Sequence, residues 1–195
     1  AGYSILFQEF PDQRLVDSRG QFTNHRPYGR RDYLQTLSLG VGYPRPVRLW
    51  GADYRLDSNF GLNFGYNASN QNTFDASRTQ FVSDSYSYYS VGLGPAFTLA
   101  WGDSKKPTSV GAGLRYNRIQ YLGRLAQNGA GGYTANHQSQ DRFIMSLNYG
   151  YPIAPGFSLK AQANFLWARS NNAYDKTYAY NYGTANYLMG FTYEY

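Results

Sequence analysis

Apolar and polar residues alternate along most of this chain, and that period restricts its fold more than any other feature. In 157–167, Phe157, Leu159, Ala161, Ala163, Phe165 and Trp167 fall on one side, while Ser158, Lys160, Gln162 and Asn164 fall on the other. Successive side chains of a strand point to opposite faces, so the segment reads as a strand with one apolar and one polar face. The run before it repeats the pattern, with Phe143, Met145, Leu147, Tyr149 and Tyr151 against Arg142, Ser146, Asn148 and Gly150. The same period is found in 33–43, 54–66, 89–101, 110–116 and 187–195, and Tyr3, Ile5 and Phe7 supply a shorter run at the start. Eight strands are therefore expected.

The connections alternate as regularly as the residues do. Short turns are expected around Pro44-Arg45-Pro46, around 103–107 and at Pro152 to Gly156, and long polar connections at 11–32, 68–85, 123–141 and 169–182. Val47 to Asp53 reads as a bulge or an extended rim strand. No run reaches the roughly 18 apolar residues of a spanning helix. A chain that crosses a bilayer in strands must close on itself, because an open edge in lipid leaves backbone groups unpaired. Short turns on one side and long loops on the other are the pattern of outer-membrane barrels, which puts both termini on the periplasmic side. The expectation is an all-β, closed antiparallel transmembrane β-barrel of eight strands, with four long extracellular loops and one domain over 1–195.

Composition decides which face meets what. Apolar residues make up 42% of the chain, yet mean hydropathy is −0.58, because 21 residues are Tyr. Such rings settle where apolar and wet surroundings meet. A soluble barrel around an apolar ligand would turn its polar face to water, and soluble surfaces carry roughly a quarter or more charged residues. Here 15% of the whole chain is charged, with most of it in the long connections. A net charge of +6 would suit nucleic acid, but the bases are scattered rather than gathered on one element, so no nucleic-acid partner is expected. The densest basic stretch, His25 to Arg31, lies beside Asp17 and Asp32 and reads as a solvated loop or as a contact for lipopolysaccharide phosphates. The start at Ala1-Gly2-Tyr3, with no basic and apolar leader, reads as a mature envelope protein.

The C-terminal run Leu188-Met189-Gly190-Phe191-Thr192-Tyr193-Glu194-Tyr195 resembles the assembly signal of bacterial outer-membrane proteins. Gly190, Tyr193 and Tyr195 carry that match, while Leu188 stands where a polar residue is usual. With the strand order, the resemblance extends to small eight-stranded outer-membrane barrels over the whole chain. It implies location in the bacterial outer membrane and, as partners, its lipid, lipopolysaccharide and the barrel assembly machinery. The family includes anchors, adhesins, narrow channels and lipid-modifying enzymes, so the fold leaves function open.

Chemistry is sparsely provided. With no cysteine and only His25 and His137, neither a metal site nor a cofactor is expected. His137-Gln138-Ser139 has the spacing of the His-x-Ser pair of lipid A deacylases, which it resembles, and places both side chains on one strand face. Gln140 replaces that family's Asn, and Asp141 is the only acid close by, so the base lacks its orienting carboxylate. His25 with Asp84-Ser85 resembles the loop residues of lipid A palmitoyltransferases, but the surrounding sequence does not.

The inward positions pair small residues (Gly40, Gly42, Gly61, Gly65, Gly92, Gly94, Gly111 and Gly113) with long charged ones (Arg55, Asp57, Arg115, Arg142, Lys160 and Glu194). Either the long side chains cross toward the glycine-rich wall and pair, Glu194 meeting Arg115, Arg142 or Lys160, or they line a narrow anion-favouring passage for a small polar solute. The function expected is a non-enzymatic outer-membrane barrel whose loops meet lipopolysaccharide or an external ligand. A lipid A-modifying enzyme is the alternative.

Overall fold

The computed structural model describes residues 1–23, 29–76, 78–103, 106–174 and 180–193. It is all-β, with strands β1 (Gly2–Arg14), β2 (Gly29–Leu49), β3 (Ala52–Ser69), β4 (Thr73–Asp75), β5 (Gln80–Val82), β6 (Tyr88–Gly102), β7 (Pro107–Gln127), β8 (Tyr133–Ala154), β9 (Phe157–Ser170) and β10 (Tyr182–Tyr193). Eight of them form one antiparallel sheet in the order β1-β2-β3-β6-β7-β8-β9-β10, and β4 and β5 make a separate hairpin between β3 and β6. Each strand of the large sheet lies beside its chain neighbour. Among the described residues no pairing joins β1 to β10, so these two are the edges. No helix among those residues is long and apolar enough to cross a membrane.

Register carries the alternation across the sheet. Tyr116 pairs Phe143, which pairs Trp167, and Leu62 lies between Leu39 and Leu93, so apolar residues share one face on all eight strands. Gly40, Gly61 and Gly94 form one row of the other face, and Gly113, Ser146, Asn164 and Asn186 belong to the next. No described residue covers the apolar face: Val41 is 67% exposed, Leu147 42% and Met189 75%. Burial is inverted relative to a soluble domain. Ten polar or charged residues are buried against five apolar ones among those described, and most of the former cluster at the end carrying the long connections.

The apolar face is banded. Tyr33, Tyr66, Tyr89 and Phe143 lie toward the long connections, and Tyr43, Tyr54, Trp101 and Tyr151 toward the short turns. These pairs are separated by ten, twelve, twelve and eight residues, with Leu, Val, Ala and Phe dominating between them. Rings meet across strands within the bands, as in Phe7 with Tyr33 at 4.8 Å, Tyr116 with Phe143 at 5.0 Å and Tyr54 with Trp101 at 5.8 Å. The strands outrun the bands. β8 has 22 residues, about 70 Å at roughly 3.3 Å per residue.

Two expected connections are corrected by the structure. The turn is not at Pro44-Arg45-Pro46, because β2 runs through both prolines to Leu49 and reverses at Trp50 and Gly51, whose φ angles of 49° and 79° suit a two-residue hairpin. Proline is tolerated on an unpaired strand edge. Among the described residues β1 pairs β2 as far as Gly2 with Ser38, and the two prolines, two residues apart, lie beyond that pairing with their nitrogens to the same side. Residues 123–141 are likewise not a long loop, since β7 and β8 stay paired up to a short connection at 128–132. Past the aromatic band neither face is held to one polarity, so the sequence alternation fades while the backbone ladder continues.

The long connections pack on one another. Gln127 N–H donates to Asn172 Oδ1 at 2.6 Å, and Ala173 N–H donates to the Gln127 carbonyl at 2.8 Å, tying 171–174 to the β7–β8 tip. Arg78 donates to the Ala130 carbonyl at 3.1 Å, and the Tyr133 hydroxyl donates to Asp75 at 3.0 Å, docking the β4–β5 hairpin onto the same tip. Burial first, then the Asp75 carboxylate, pushes the Tyr133 hydroxyl up to about 12. Because the folded value lies above the ordinary 10, the neutral phenol stabilises the docked hairpin fully below pH 10 and that contribution is lost as pH rises through about 12. The protection of the Phe74 and Phe81 amides, their hydrogen exchange relative to the intrinsic rate at each pH, should therefore hold to pH 9 and fall over that window. Tyr133→Phe should remove the step, and a step that persists in the variant would assign the docking to other contacts.

Candidate functional site

The end of the sheet that carries the long connections gathers the most chemistry. Period two splits the basic stretch of β2, sending Arg30 to the polar face and Arg31 to the apolar face, where Arg31 meets Glu9 at 2.9 Å. Residues 29–31 are thus part of a strand rather than a solvated loop, and 24–28, including His25, lie outside the described residues. Arg30 forms an ion pair with Asp32 and donates to Gln13 Oε1 at 3.0 Å. The Asp32 side chain, 4% exposed, also takes hydrogen bonds from Ser69 and Asn67. A buried charge persists only when paired and hydrogen-bonded, and Asp32 meets both conditions.

Around this pair lies an arginine and tyrosine stack. Arg30 sits 4.1 Å from the Tyr86 ring and 4.5 Å from Phe10, while Arg124 sits 4.7 Å from the same Tyr86 ring and 4.5 Å from Tyr121. Tyr86 is therefore clamped between two guanidinium groups, and Tyr121 meets Tyr88 at 5.8 Å. Cation–π contacts of this kind are worth about 0.5–2 kcal/mol each, depending on desolvation. Arg142 turns back to Gln140, donating to its Oε1 at 2.7 and 3.0 Å. Gln138 and Gln140 are 2% and 5% exposed. This end is a packed polar cluster with more arginines than acids. Arg30, Arg124, Tyr86, Tyr88 and Tyr121 had no signal in the alternation, because their contacts join strands distant in sequence.

The expected charge network is partly assembled. Arg55 pairs with Asp57 at 2.9 Å near the short turns, where both are partly open to water. Lys160 lies in register between Gly150 and Gly190, and Arg115 lies beside Gly94, so the long side chains have small neighbours across the strands. Neither Arg115 nor Lys160 forms an ion pair among the described residues. Glu194, their expected partner, lies outside the described residues, as does Tyr195. Gly190 and Tyr193 sit on β10, Tyr193 on the apolar face and Gly190 on the polar one.

His137 and Ser139 are on β8 rather than in a polar loop, and their parity puts them on the apolar-face side, beyond the aromatic band. His137 is exposed, and Ser139 is 7% exposed with its backbone tied to Asn171 and Ser170. The nearby acid Asp141 accepts from the Tyr116 hydroxyl at 2.5 Å and from Arg118 at 3.5 Å, so its carboxylate is engaged away from His137. Asp84 and Ser85 differ sharply: Asp84 is exposed, with φ of 51°, and Ser85 is buried with its carbonyl accepting from Arg124 at 3.2 Å. Among the described residues no three of His, Asp and Glu gather into a metal site. Compared with protein-family models, with curated proteins and with solved structures, the chain matches none.

Proposed function

We propose that this chain is a bacterial outer-membrane β-barrel, closed by pairing of β1 with β10, with both termini periplasmic and the long connections outside. The observation that carries the reading is the apolar face, continuous over eight strands, banded by aromatic residues and covered by none of the described residues. An exposed apolar surface of that extent marks a contact with another apolar phase. The bands stand eight to twelve residues apart along the strands, against about 9–11 for a tilted spanning strand. Closure is supported by the phase of the edges. Tyr3, Ile5 and Phe7 of β1 and Tyr187, Met189 and Phe191 of β10 all lie on the apolar face, so pairing the edges leaves that face unbroken. An open edge in lipid would cost several kcal/mol for each unpaired backbone group.

Within this reading the chain is not an enzyme. Its packed outer end meets lipopolysaccharide or an external ligand, and its polar face forms a narrow, plugged, cation-lined interior. An epitope inserted in the 128–132 connection should label intact cells, and one inserted at 103–106 should label only permeabilised cells. Labelling of both in intact cells, or of neither, would defeat the orientation. The alternative, a lipid A-modifying enzyme, is tested separately. His137→Ala and Ser139→Ala should leave the acyl chains of host lipid A unchanged by mass spectrometry, and a loss of modification in either variant would favour the enzyme.

A further inference from the structure

Beyond the aromatic band, three strands place opposite charges in one row on the apolar-face side. Arg118 of β7 pairs in register with Asp141 of β8, which pairs with Arg169 of β9. Two residues back along each strand, on the same face, Tyr116, Phe143 and Trp167 form the neighbouring row. Asp141 is engaged by Tyr116 and Arg118. Arg169 is exposed and has no ion pair among the described residues. The row thus holds two cations against one anion, with its unpaired cation directly beyond Trp167.

Arg169 also borders an open cleft of about 860 Å³ over β8, β9 and the start of β10, lined by Phe143, Trp167, Asn181 and Gly183. Gly183 is the register partner of Trp167, and an added Cβ there would lie in ordinary contact, 3.6 Å from the indole Cδ1. The lower wall continues into the exposed apolar face through Phe165, whose ring lies 6.1 Å from that of Trp167.

We infer that this cleft is a binding site for a phosphate-bearing membrane lipid, with Arg169 taking the phosphate and Trp167 and Phe143 flanking the base of the acyl chains. A guanidinium matches a phosphate with parallel N–H donors. A soluble anion would have no use for the aromatic wall, and a neutral lipid would leave Arg169 unmatched. The occupant therefore needs a phosphate and an apolar body in that order along the strand. This site rests on the outer-membrane reading.

The test uses the folded full chain in detergent, titrated with lipid A or with dephosphorylated lipid A and read by native mass spectrometry. Wild type should retain lipid A about tenfold better than the dephosphorylated form, and Arg169→Gln should abolish that preference. Arg169→Lys should keep part of it, and Lys160→Gln, on the opposite face, should keep all of it. Equal retention of the two lipids by wild type, an unchanged preference in Arg169→Gln, or full displacement of lipid A by millimolar inorganic phosphate would each overturn the site. Insertion of the same preparations into phosphatidylcholine vesicles, read by flotation, separates the two failures. A chain that inserts yet does not discriminate defeats this site alone, and a chain that does not insert defeats the membrane reading.

Discussion

Leu147→Arg should destabilise the protein by about 2–4 kcal/mol when it is folded into lipid vesicles, the cost of a cation near the midplane of a bilayer-facing strand. Leu147 lies in register between Ala112 and Ala163 on the apolar face, four residues from Phe143 and four from Tyr151. At roughly 3.3 Å per residue that places it about 13 Å from either aromatic band, beyond the reach of an arginine that would otherwise bring its charge to the interface. The neighbouring alanines offer no acceptor. The matched control is Asn148→Arg, one residue along and therefore on the polar face between Gly111 and Gln162, which should change stability far less. Urea titrations of both variants in the same vesicles give the comparison. Equal effects at the two positions, or a neutral Leu147→Arg, would mean that the apolar face does not meet lipid.

Gly94→Ala should cost about 3 kcal/mol or more, large for the addition of one methyl group. Gly94 of β6 sits against the backbone of β7. An added Cβ there would overlap the Leu114 carbonyl oxygen and lie 2.8 Å from Arg115 Cα, both backbone atoms that cannot step aside without breaking the ladder. The next residue, Pro95, has no N–H to donate, and the β6–β7 pairing resumes at Ala96 with Gly113. The control lies in the same row: Gly61 is the direct partner of Gly94, and a Cβ at Gly61 meets nothing within 4 Å. Gly61→Ala should therefore be neutral within about 1 kcal/mol, or slightly stabilising through the unfolded chain. Equal costs for the two substitutions would show that glycine acts here through backbone freedom rather than through close approach.

These glycines separate what could be read in the chain from what could not. Eight glycines of the polar face look alike as sequence, all small residues among long charged ones. Only the register shows that β7 backbone passes against Gly94, whereas its direct partner Gly61 has open space beside it. The antiparallel order of strands and their two unlike faces were legible, because period two is a local property: each residue's face follows from its neighbour's, and a wrong phase would turn a whole strand inside out. The Pro44–Pro46 turn and the 123–141 loop were misread for a matching reason. Proline excludes a strand position whose N–H must be paired but not one whose N–H side is left free, and which positions β1 pairs is a matter of register.

What the sequence by itself determined is the alternation that makes these strands, the apolar side they share and the order in which they follow one another. The tertiary structure alone decided which polar groups meet. Asp32 is held by Arg30 and by Ser69, Tyr86 stands between arginines 56 and 38 residues away, and Asp141 bonds Tyr116 rather than His137. Such contacts depend on cross-strand register and on the length by which each hairpin outruns the aromatic bands. Past those bands neither face is confined to one polarity, so the chain's period no longer reports its partners.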